Sequence, residues 1–310
     1  MKVCRITSDE YAALFKAPSH LYNSVAFNLL NAPKCDDLHF LSIVDDNGKV
    51  RFGIILGERA GVLKSPFSAP FGGLEANSTQ RTSHYLDAVE SLRAYGALLN
   101  KNIIITLPPF VRSDSHLSKT LTSICSTGGH IDYIDYNFHY PLAQFKDYMS
   151  GLRANARRNL KASLRNGFEF HSIDSADSAT ISEIYRIVHT NHTSLGYPVH
   201  MSLDDIIATS RIIPIDFFIV TREGHGIASA IIYRPADGIA QLIYWGDLPE
   251  ARPLRPMDFL AFKVMEYYYN QGLAIYDLGP SSSDGIPALG LCDFKEGLGC
   301  IATPKYTLEV

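Results

Sequence analysis

The order of segments in the first half of the chain recurs in the second half, and this repetition restricts the folds that the chain can adopt. Residues 38–74 contain three apolar runs, and a polar turn, DDNGK, separates the first two. Asn-Gly between two runs of strand length is a strong hairpin signal. A helical pattern, HYLDAVESLRAYGALLNK, and a short β-branched run, NIIITLPPF, complete the set. The pattern predicts a hairpin, a third strand, a loop, a helix and a buried strand.

The second half shows the same order at similar spacing. Residues 215–250 contain three apolar runs with turns at EGHG and ADG, and a proline-rich loop, LPEARPLRP, follows them. The next segment, MDFLAFKVMEYYYNQG, has the spacing of an amphipathic helix, with Pro256 before its start and Gly272 at its end. The run LAIYDLGP is then the counterpart of NIIITLPP. We interpret the repetition as a tandem duplication of one α/β module, although hairpin–helix–strand units are common enough to recur by chance.

The length of the chain agrees with a duplication. Its 310 residues are large for one hydrophobic core and fit two domains of about 150 residues each. We place the boundary near YPLAQFKDYMS, at residues 140–150. The predicted domains are an N-terminal module over residues 1–145, either catalytic or degenerate, and a C-terminal module over residues 146–310. The predicted fold class is α/β, with mixed β-sheets flanked by helices.

Composition argues against several classes of protein. A formal net charge of -4 and a pI of about 6.2 are atypical of a DNA-binding protein or an anionic-membrane binder. The five cysteines form no C-x-x-C pair, which is typical of free thiols in a reducing compartment. No stretch has signal-peptide character or approaches the roughly 18 apolar residues of a membrane span. We therefore expect a cytoplasmic protein without a transmembrane segment, and any contact with a polyanion must be local.

A basic segment opens the second module. The stretch LRANARRNLKASLRNG, residues 152–167, contains no acid, and its glycine is placed to end a helix. On a helix, one stripe is apolar and the neighbouring stripe is cationic. The apolar stripe consists of Leu152, Ala156, Leu160 and Leu164. The cationic stripe consists of Arg153, Arg157, Lys161 and Arg165, with Arg158 beside it.

Two interpretations of this helix are open. The cations could form an ordinary solvated face, or they could hold an anionic ligand. Arginine predominates over lysine here, and its guanidinium suits bidentate binding of phosphate or carboxylate. No acid lies four residues away to offset the repulsion within the row. We expect a phosphate-bearing small molecule or the acceptor end of a tRNA, rather than nucleic acid in general.

Three features together resemble the FemAB-like branch of the GNAT acyltransferase superfamily. They are the duplicated module, the helix-into-strand segment RANARRNLKASLRNGFEF, and the segment GLCDFKEGLG at residues 290–299. The strand IYDLGP is also similar to one in that family, with Pro280 where a second glycine is common. The resemblance covers residues 150–310 and is only architectural over the first 140. The chain resembles the compact members, which lack a long helical arm.

The resemblance implies two tandem GNAT-like modules and an acyltransferase activity. Such proteins transfer an acyl or aminoacyl group from an activated carrier, an acyl-CoA or an aminoacyl-tRNA, to an amine by direct attack. The carrier would be a co-substrate, so the resemblance implies no tightly bound cofactor and no metal. The acceptor would be a small molecule, with or without a phosphate group. The alternative is a non-catalytic binding module with a degenerate GNAT fold that holds a phosphate-bearing ligand.

The resemblance also implies roles for particular residues. By position, Lys295 would neutralise charge on the carbonyl oxygen, and Phe294 would line the same pocket. The helix expected to bind phosphates carries Arg153, Arg157, Arg158 and Lys161. Tyr244 and Trp245 lie on the strand where donor and acceptor would meet, and Arg255 lies in the loop that follows it.

One departure from the superfamily concerns the carrier. GNAT domains that bind acetyl-CoA present a glycine-rich turn whose N–H groups hold pyrophosphate at a helix N-terminus. The equivalent segment here, PEARPLRPMDF, has Arg252 and Arg255 but no glycine, and its prolines lack N–H groups. The identity of the carrier therefore stays open.

The segment VHTNH contains two histidines close together. His189 and His192 have a spacing that can serve a metal, but without a third ligand local polar packing is the favoured interpretation. His192 also lies beside the loop that would border the acceptor, so it is a candidate to assist proton removal.

Overall fold

The computed structural model describes residues 1–111, 115–175 and 177–310. The chain divides into two compact units, each assembled from more than one stretch of sequence. Unit 1 contains Met1–Tyr136, Ser282–Ile286 and Thr303–Val310. Unit 2 contains Asn137–Ser281 and Pro287–Ala302.

The chain contains both strands and helices along its whole length. The strands are β1 (Lys2–Ile6), β2 (Asp37–Val44), β3 (Val50–Arg59), β4 (Val62–Ser65), β5 (Glu75–Ala76), β6 (Ile103–Thr106), β7 (His130–Pro141), β8 (Glu169–Ile173), β9 (Ile215–Arg222), β10 (His225–Ala236), β11 (Ile239–Asp247), β12 (Ile275–Pro280), β13 (Ser282–Ser283), β14 (Ile286–Pro287) and β15 (Ile301–Glu309). The helices are α1 (Ser8–Leu14), α2 (Val25–Asn31), α3 (Thr82–Leu99), α4 (Ser115–Ser126), α5 (Tyr148–Gly151), α6 (Ala154–Ser163), α7 (Ser178–Leu195), α8 (Leu203–Ser210), α9 (Pro256–Asn270) and α10 (Leu289–Gly297). Among the described residues, no helix is long and apolar enough to cross a membrane.

The sheets of the two units share one pattern of strand pairing. In unit 1 the order is β1-β2-β3-β4-β6-β15, with three antiparallel pairs, one parallel pair and one antiparallel pair. In unit 2 the order β8-β9-β10-β11-β12-β7 gives the same succession. In both units a long helix, α3 or α9, connects the two parallel strands. The predicted α/β fold with two tandem modules of mixed sheet and helices is therefore confirmed.

The last strand of each sheet comes from the other half of the chain. The end of β7, from residue 137, belongs to unit 2 and pairs with β12. The end of β15, from residue 303, belongs to unit 1 and pairs with β6. Each unit therefore needs a distant segment of sequence to complete its sheet.

Alternation along the strands places apolar side chains on both faces of each sheet. In unit 1, Leu41 and Leu56 pack with α3, whereas the neighbouring Phe40 and Ile55 pack with α1. In unit 2, α6 and α9 pack against each other over the core that includes Phe218, and α7 packs against β10 and β11. Burial of these apolar surfaces supplies the main free energy for folding.

The helix of the basic segment is shorter than its sequence pattern predicts. Leu152, Ala156 and Leu160 are buried as expected, but α6 ends at Ser163 and Leu164 is 41% exposed. The backbone N–H groups of the next two residues donate to carbonyls three residues back, and such tighter turns commonly end a helix. Gly167 has φ +66° but lies beyond these turns, so the prediction that it ends the helix is wrong.

Candidate functional site

An opening between β11 and β12 defines the candidate site. The two strands pair in parallel only over Ile239–Gln241 and Ile275–Asp277, and then they diverge. Two local irregularities favour this divergence. The register of β11 against β10 shifts so that Ile243 is an extra residue, and a β-bulge of this kind bends and twists its strand. In β12, Gly279 takes φ +73°, which is accessible to glycine at little cost.

A cavity of about 530 Å³ occupies this opening, and we call it the unit-2 cavity. Its walls come from α7, β11, the short helical turn Pro249–Leu254, the start of α9, the end of β12 and α10. Some of the residues that line this cavity were predicted as site residues from the sequence, and others were not. The described lining residues are Asn191, His192, Leu195, Tyr197, Leu242, Ile243, Tyr244, Trp245, Gly246, Asp247, Arg252, Arg255, Met257, Asp258, Leu278, Gly279, Pro280, Leu291, Phe294 and Lys295.

Lys295 is a buried cation in the wall of this cavity. Its side chain, from α10, is 2% exposed. Its Nζ donates to three successive carbonyl oxygens at the end of β12, those of Leu278 (2.8 Å), Gly279 (3.0 Å) and Pro280 (3.0 Å). An ammonium group has three N–H donors, so each of them has an acceptor. Lys295 therefore fixes the path of β12 where that strand leaves β11.

The charge state of Lys295 is sensitive to its surroundings. Burial lowers the pKa of the ammonium group to about 8, since the charged form loses its hydration. The nearby thiol of Cys300 and the carboxylate of Asp277 oppose this shift. Asp277 is itself held by the side-chain amides of Asn137 (2.7 Å) and Gln241 (2.9 Å). The structure thus keeps a titratable cation against the cavity without a direct carboxylate partner among the described residues.

Aromatic and aliphatic side chains form the apolar wall of the unit-2 cavity. The rings of Trp245 and Phe294 meet edge to face, with centroids 5.7 Å apart. Met257 and Leu278 lie in the same lining. A wall of this composition excludes water and suits an uncharged acyl chain.

Tyr244 and His192 form a second part of the wall. The Tyr244 hydroxyl accepts hydrogen bonds from the backbone N–H groups of His200 (3.2 Å) and Met201 (3.3 Å). The His192 ring contacts the Tyr244 ring edge to face, at 5.5 Å between centroids. Burial lowers the pKa of His192, so its imidazole is neutral at pH 7 and able to accept a proton.

A polar cluster that the sequence analysis missed completes the cavity. Asp247 is buried, and its Oδ1 accepts from the Asn191 amide (2.8 Å) and the Arg252 guanidinium (3.2 Å). Burial raises the pKa of Asp247, while its bond to Arg252 opposes the shift. Gly246 makes the arrangement possible, because a Cβ there would lie 2.4 Å from the Asn191 Cβ. The only sequence signal was the Gly-Asp pair at the end of a predicted strand.

The segment before α9 carries further charged groups. Arg255 occupies the N-cap position of α9 with φ +60°, and its side chain is exposed at the cavity. Asp258 follows in the first helical turn, where burial raises the pKa of its carboxyl and Arg255 opposes the shift. Arginine thus stands at the place where the superfamily's glycine-rich turn is expected.

The predicted site residues divide into two groups. Lys295, Phe294, Tyr244, Trp245 and Arg255 all line the unit-2 cavity. The other four form what we call the α6 row, and none of them belongs to the described lining. The α6 row consists of Arg153, Arg157, Arg158 and Lys161.

Members of the α6 row differ in their freedom to bind a ligand. The guanidinium of Arg157 donates to the carbonyl oxygens of Leu152 (2.8 Å) and Ser150 (3.3 Å), so it supports the turn before the helix. Arg153 lies 3.6 Å from a carboxylate oxygen of Glu296, and its side chain is 73% exposed. Arg158 and Lys161 are exposed.

The α6 row lies next to the segment that carries Arg255. The Asn166 amide donates to the Leu254 carbonyl oxygen at 2.8 Å. In the orientation that satisfies its hydrogen bonds, the Asn159 amide oxygen accepts from Arg255 Nη1 at 3.0 Å. One bond from α6 and one from the turn after it therefore connect this region to the segment that carries Arg255.

The equivalent opening in unit 1 differs in what occupies it. There β4 and β6 pair over Leu63–Ser65 and Ile103–Ile105 before they diverge. The backbone N–H of Gly72 donates to the Thr106 carbonyl oxygen at 2.9 Å, just beyond this point. Residues 71–74 are all buried, so the chain itself occupies the opening.

Glycine allows this close packing in unit 1. A Cβ on Gly72 would lie 2.7 Å from Ser65 Oγ and 2.9 Å from the backbone nitrogen of Pro66. The N–H of Gly73 donates to Ser65 Oγ at 3.0 Å, which holds the segment in place. The two units thus share a strand pattern but differ in whether the opening holds a cavity.

One group of side chains in unit 1 has the composition of a metal site. Ligand atoms of Asp37, His39 and Glu58 lie within 4.8 Å of one another. However, Arg5 donates to Asp37 at 2.7 Å, and Lys101 pairs with Glu58. Because both carboxylates already have cationic partners, the group does not need a metal to balance its charge.

Comparisons with known proteins identify the fold. No protein-family model matches the chain, and no curated protein sequence matches it. The crystal structure of FemX is similar with a TM-score of 0.70 at 12% identity, over 100% of this chain and 97% of that chain. L-PGS from Bacillus licheniformis has a TM-score of 0.62 at 13% identity, over 98% and 92% of the two chains. A tandem GNAT protein from the clavulanic acid biosynthesis pathway has a TM-score of 0.54 at 11% identity, over 99% and 97%.

These likenesses cover nearly the whole chain at low sequence identity, so they establish the fold alone. The chain has the same fold as FemX and the tandem GNAT protein, with two tandem modules. The resemblance inferred from the basic helix and the segment GLCDFKEGLG is therefore confirmed at the level of fold.

Proposed function

We propose that this protein transfers an acyl or aminoacyl group from an activated carrier to an amine, in the unit-2 cavity. The observation that carries the proposal is the divergence of β11 and β12 around a cavity that contains Lys295, Phe294 and Trp245. The fold shared with FemX and a tandem GNAT protein supports a transferase of this general kind. Ligands of α/β sheets bind preferentially where neighbouring strands part at their carboxyl ends.

Under this proposal, the reaction takes place in unit 2. An acyl group and its acceptor need an open space between diverging strands. Unit 1 has filled that space with residues 71–74, whereas unit 2 keeps a cavity of about 530 Å³. The first module is then a degenerate partner that takes no part in the chemistry.

Attack of an amine on a thioester or ester produces negative charge on the carbonyl oxygen. Preorganised donors or charges at such an oxygen lower the barrier by about 3 kcal/mol for each group. Lys295 is a fixed positive charge in a dry wall, so it favours this charge even though its N–H groups already bind carbonyls. For Lys295 to donate a hydrogen bond directly to the carbonyl oxygen of the acyl group, it must give up one of its three bonds to backbone carbonyls.

The attacking amine must lose a proton. His192 is neutral at pH 7 because burial lowers its pKa, and it lines the cavity beside Tyr244. We assign to it the acceptance of the amine proton. The carboxyls of Asp247 and Asp258 line the same cavity and attract an amine as its ammonium form.

The carrier is larger than the cavity in this proposal. Arg255 is exposed at the cavity, and two hydrogen bonds connect its segment to α6 and to the turn after that helix. Arg158 and Lys161 extend the positive charge along the exposed side of that helix. Such an arrangement suits several phosphates in sequence, as in the acceptor end of a tRNA or the nucleotide part of an acyl-CoA.

The second candidate function is a binding module without chemistry. One observation favours it: each N–H group of Lys295 already has a carbonyl acceptor. A protein that only holds a phosphate-bearing ligand would use Lys295 for structure alone. Under this alternative, carriers bind but no transfer occurs.

Single-turnover transfer to a panel of amines tests the proposal, with acetyl-CoA, longer acyl-CoAs and bulk aminoacyl-tRNA as donors. Wild-type protein should consume one class of donor, and Arg158→Ala/Lys161→Ala should weaken its binding by about tenfold or more for two lost phosphate contacts. The matched control is Arg186→Ala/Arg211→Ala, which removes two exposed cations away from the cavity lining. Binding of a donor without any transfer would support the binding module, and no binding of any donor would refute both candidates.

A further inference from the structure

Unit 1 contains a separate cavity of about 350 Å³, which we call the unit-1 cavity. It lies directly after the segment that fills the opening between β4 and β6, since Glu75 follows residues 71–74. Its described lining residues are Ser19, Glu75, Ala76, Ser78, Thr79, Gln80, Tyr85, Ser115, His116 and Lys119. This lining is richer in hydroxyl groups than that of the unit-2 cavity.

Glu75 is a buried carboxylate in this lining, with 5% exposure. Its Oε1 accepts from the backbone N–H of Ser19 at 3.0 Å. Its Oε2 accepts from Ser19 Oγ at 2.9 Å and from the Asn23 amide at 3.1 Å. A carboxylate offers about four acceptor positions, so these bonds leave capacity for another donor. No cationic side chain among the described residues forms an ion pair with it.

Lys119 supplies the opposite charge in the same lining. Its Nζ donates to the Gln80 carbonyl oxygen at 2.9 Å and lies 5.6 Å from the centre of the Tyr85 ring. Two further N–H donors of the ammonium group are available. Within the described part of the chain, Lys119 forms no ion pair with a carboxylate, and Glu75 and Lys119 do not bond to each other.

The wall between these charges is held in place. His116 bonds through Nδ1 to the Tyr85 hydroxyl at 2.8 Å and through Nε2 to the Leu74 carbonyl oxygen at 2.9 Å. The ring of Tyr85 is buried and also meets Phe52 edge to face. The cavity is therefore preformed, which lowers the entropic cost of binding.

We propose that the unit-1 cavity binds a small zwitterion, with its ammonium group at Glu75 and its anionic group, a carboxylate or a phosphate, at Lys119. A buried charge without a counterion is costly, and a ligand that pairs both charges at once relieves that cost. Ser78 and Thr79 also line the cavity and add polar groups to its wall. This site performs no chemistry and is independent of the reaction proposed for unit 2.

Isothermal titration of the full chain tests the proposal with two zwitterions and two half-ligands. The zwitterions are O-phosphoethanolamine and L-alanine, and the half-ligands are ethanolamine and inorganic phosphate. At least one zwitterion should bind about tenfold or more tightly than either half-ligand, because two charge-assisted contacts form together. The preferred zwitterion then identifies the anionic group as phosphate or carboxylate.

Variants locate the binding site. Glu75→Gln and Lys119→Met should each weaken the preferred zwitterion about tenfold, to the level of one half-ligand. Lys49→Met, at an exposed lysine outside the cavity, should leave binding unchanged. Because Glu75 also holds Ser19 and Asn23, Lys119→Met is the decisive variant if Glu75→Gln does not fold.

Three results would overturn the proposal. The first is that the zwitterions bind no more tightly than the half-ligands. The second is that Lys119→Met, shown to be folded by its thermal transition, binds as well as the wild type. The third is that no probe binds with a Kd below about 10 mM, where a single good charge pair should be detectable. None of these results depends on acyl transfer, so they leave the function proposed for unit 2 untouched.

Discussion

Replacement of Lys295 by methionine tests how the buried ammonium group affects stability. Methionine has a similar length but removes the charge and the three N–H donors. In the folded protein the pKa of Lys295 is lowered to about 8 from an ordinary value of 10.5. The unfolded chain therefore binds more protons than the folded chain between these two values, and the wild type gains stability as the pH rises through this window.

The size of this effect follows from the two pKa values. A shift of one unit corresponds to about 1.4 kcal/mol, so the gain over the full window is at most about 3 kcal/mol. The three carbonyl oxygens favour the charged form and act against burial, which makes this figure an upper limit. The variant has no ionisable group at this position, so the difference in unfolding free energy between wild type and Lys295→Met should increase by up to this amount from pH 8 to pH 10.5.

Urea denaturation of both proteins at several pH values from 7 to 10.5 measures the difference. Lys161→Met is the matched control, because it makes the same substitution at a lysine that is exposed on α6. A difference that stays constant would contradict the argument that burial controls the charge of Lys295. A difference that decreases with pH would mean that the carbonyl bonds outweigh burial and raise the pKa.

Three further changes have expected results. Gly246→Ala should lower the unfolding free energy by about 2 kcal/mol, measured by urea titration, because the new Cβ would lie 2.4 Å from Asn191. The control is Gly290→Ala in α10, which should not destabilise the protein because the space around that glycine is open. Deletion of residues 303–310 should expose the edge of β6 and lower the thermal transition of unit 1; an unchanged transition would refute this. The acid limb of any transfer rate should lie below pH 6.5 and disappear in His192→Ala, and a limb that persists would exclude His192.

The regular parts of the fold were predictable because their signals are local. The Asn-Gly turn marked the hairpin of β2 and β3, and Pro256 and Gly272 marked the two ends of α9. The exchange of β7 and β15 between the units has no local signal. Pairing of each strand is decided by partners more than 100 residues away, such as Thr106 opposite Thr307.

Only some lining residues of the unit-2 cavity could be named from the sequence, and none of their contacts could. The family resemblance pointed to Lys295, Phe294, Tyr244 and Trp245, which line the cavity, and also to the α6 row, which does not belong to the described lining. That Lys295 binds the carbonyls of β12 depends on how α10 packs after that strand, which no spacing reveals. The pairing of Asp247 with Asn191 likewise joins the end of β11 to a residue of α7, 56 positions earlier.

The two units show how one strand pattern can give both an open and a closed site. In each unit the parallel strands diverge after three paired residues, so the pattern itself always creates an opening. The segment between the first parallel strand and the long helix then determines whether the opening is filled. In unit 1 that segment is long, from residue 66 to residue 81, and Gly72 and Gly73 let it enter the opening.

In unit 2 the corresponding segment runs only from residue 248 to residue 255 and is held outside the opening by a short helical turn. This segment presents Arg252 and Arg255 to the cavity. The same long segment in unit 1 continues into Glu75, so one segment closes the opening through residues 71–74 and then supplies lining residues of the unit-1 cavity. The longer segment of unit 1 thus accounts both for the filled opening and for the position of Glu75 at the unit-1 cavity.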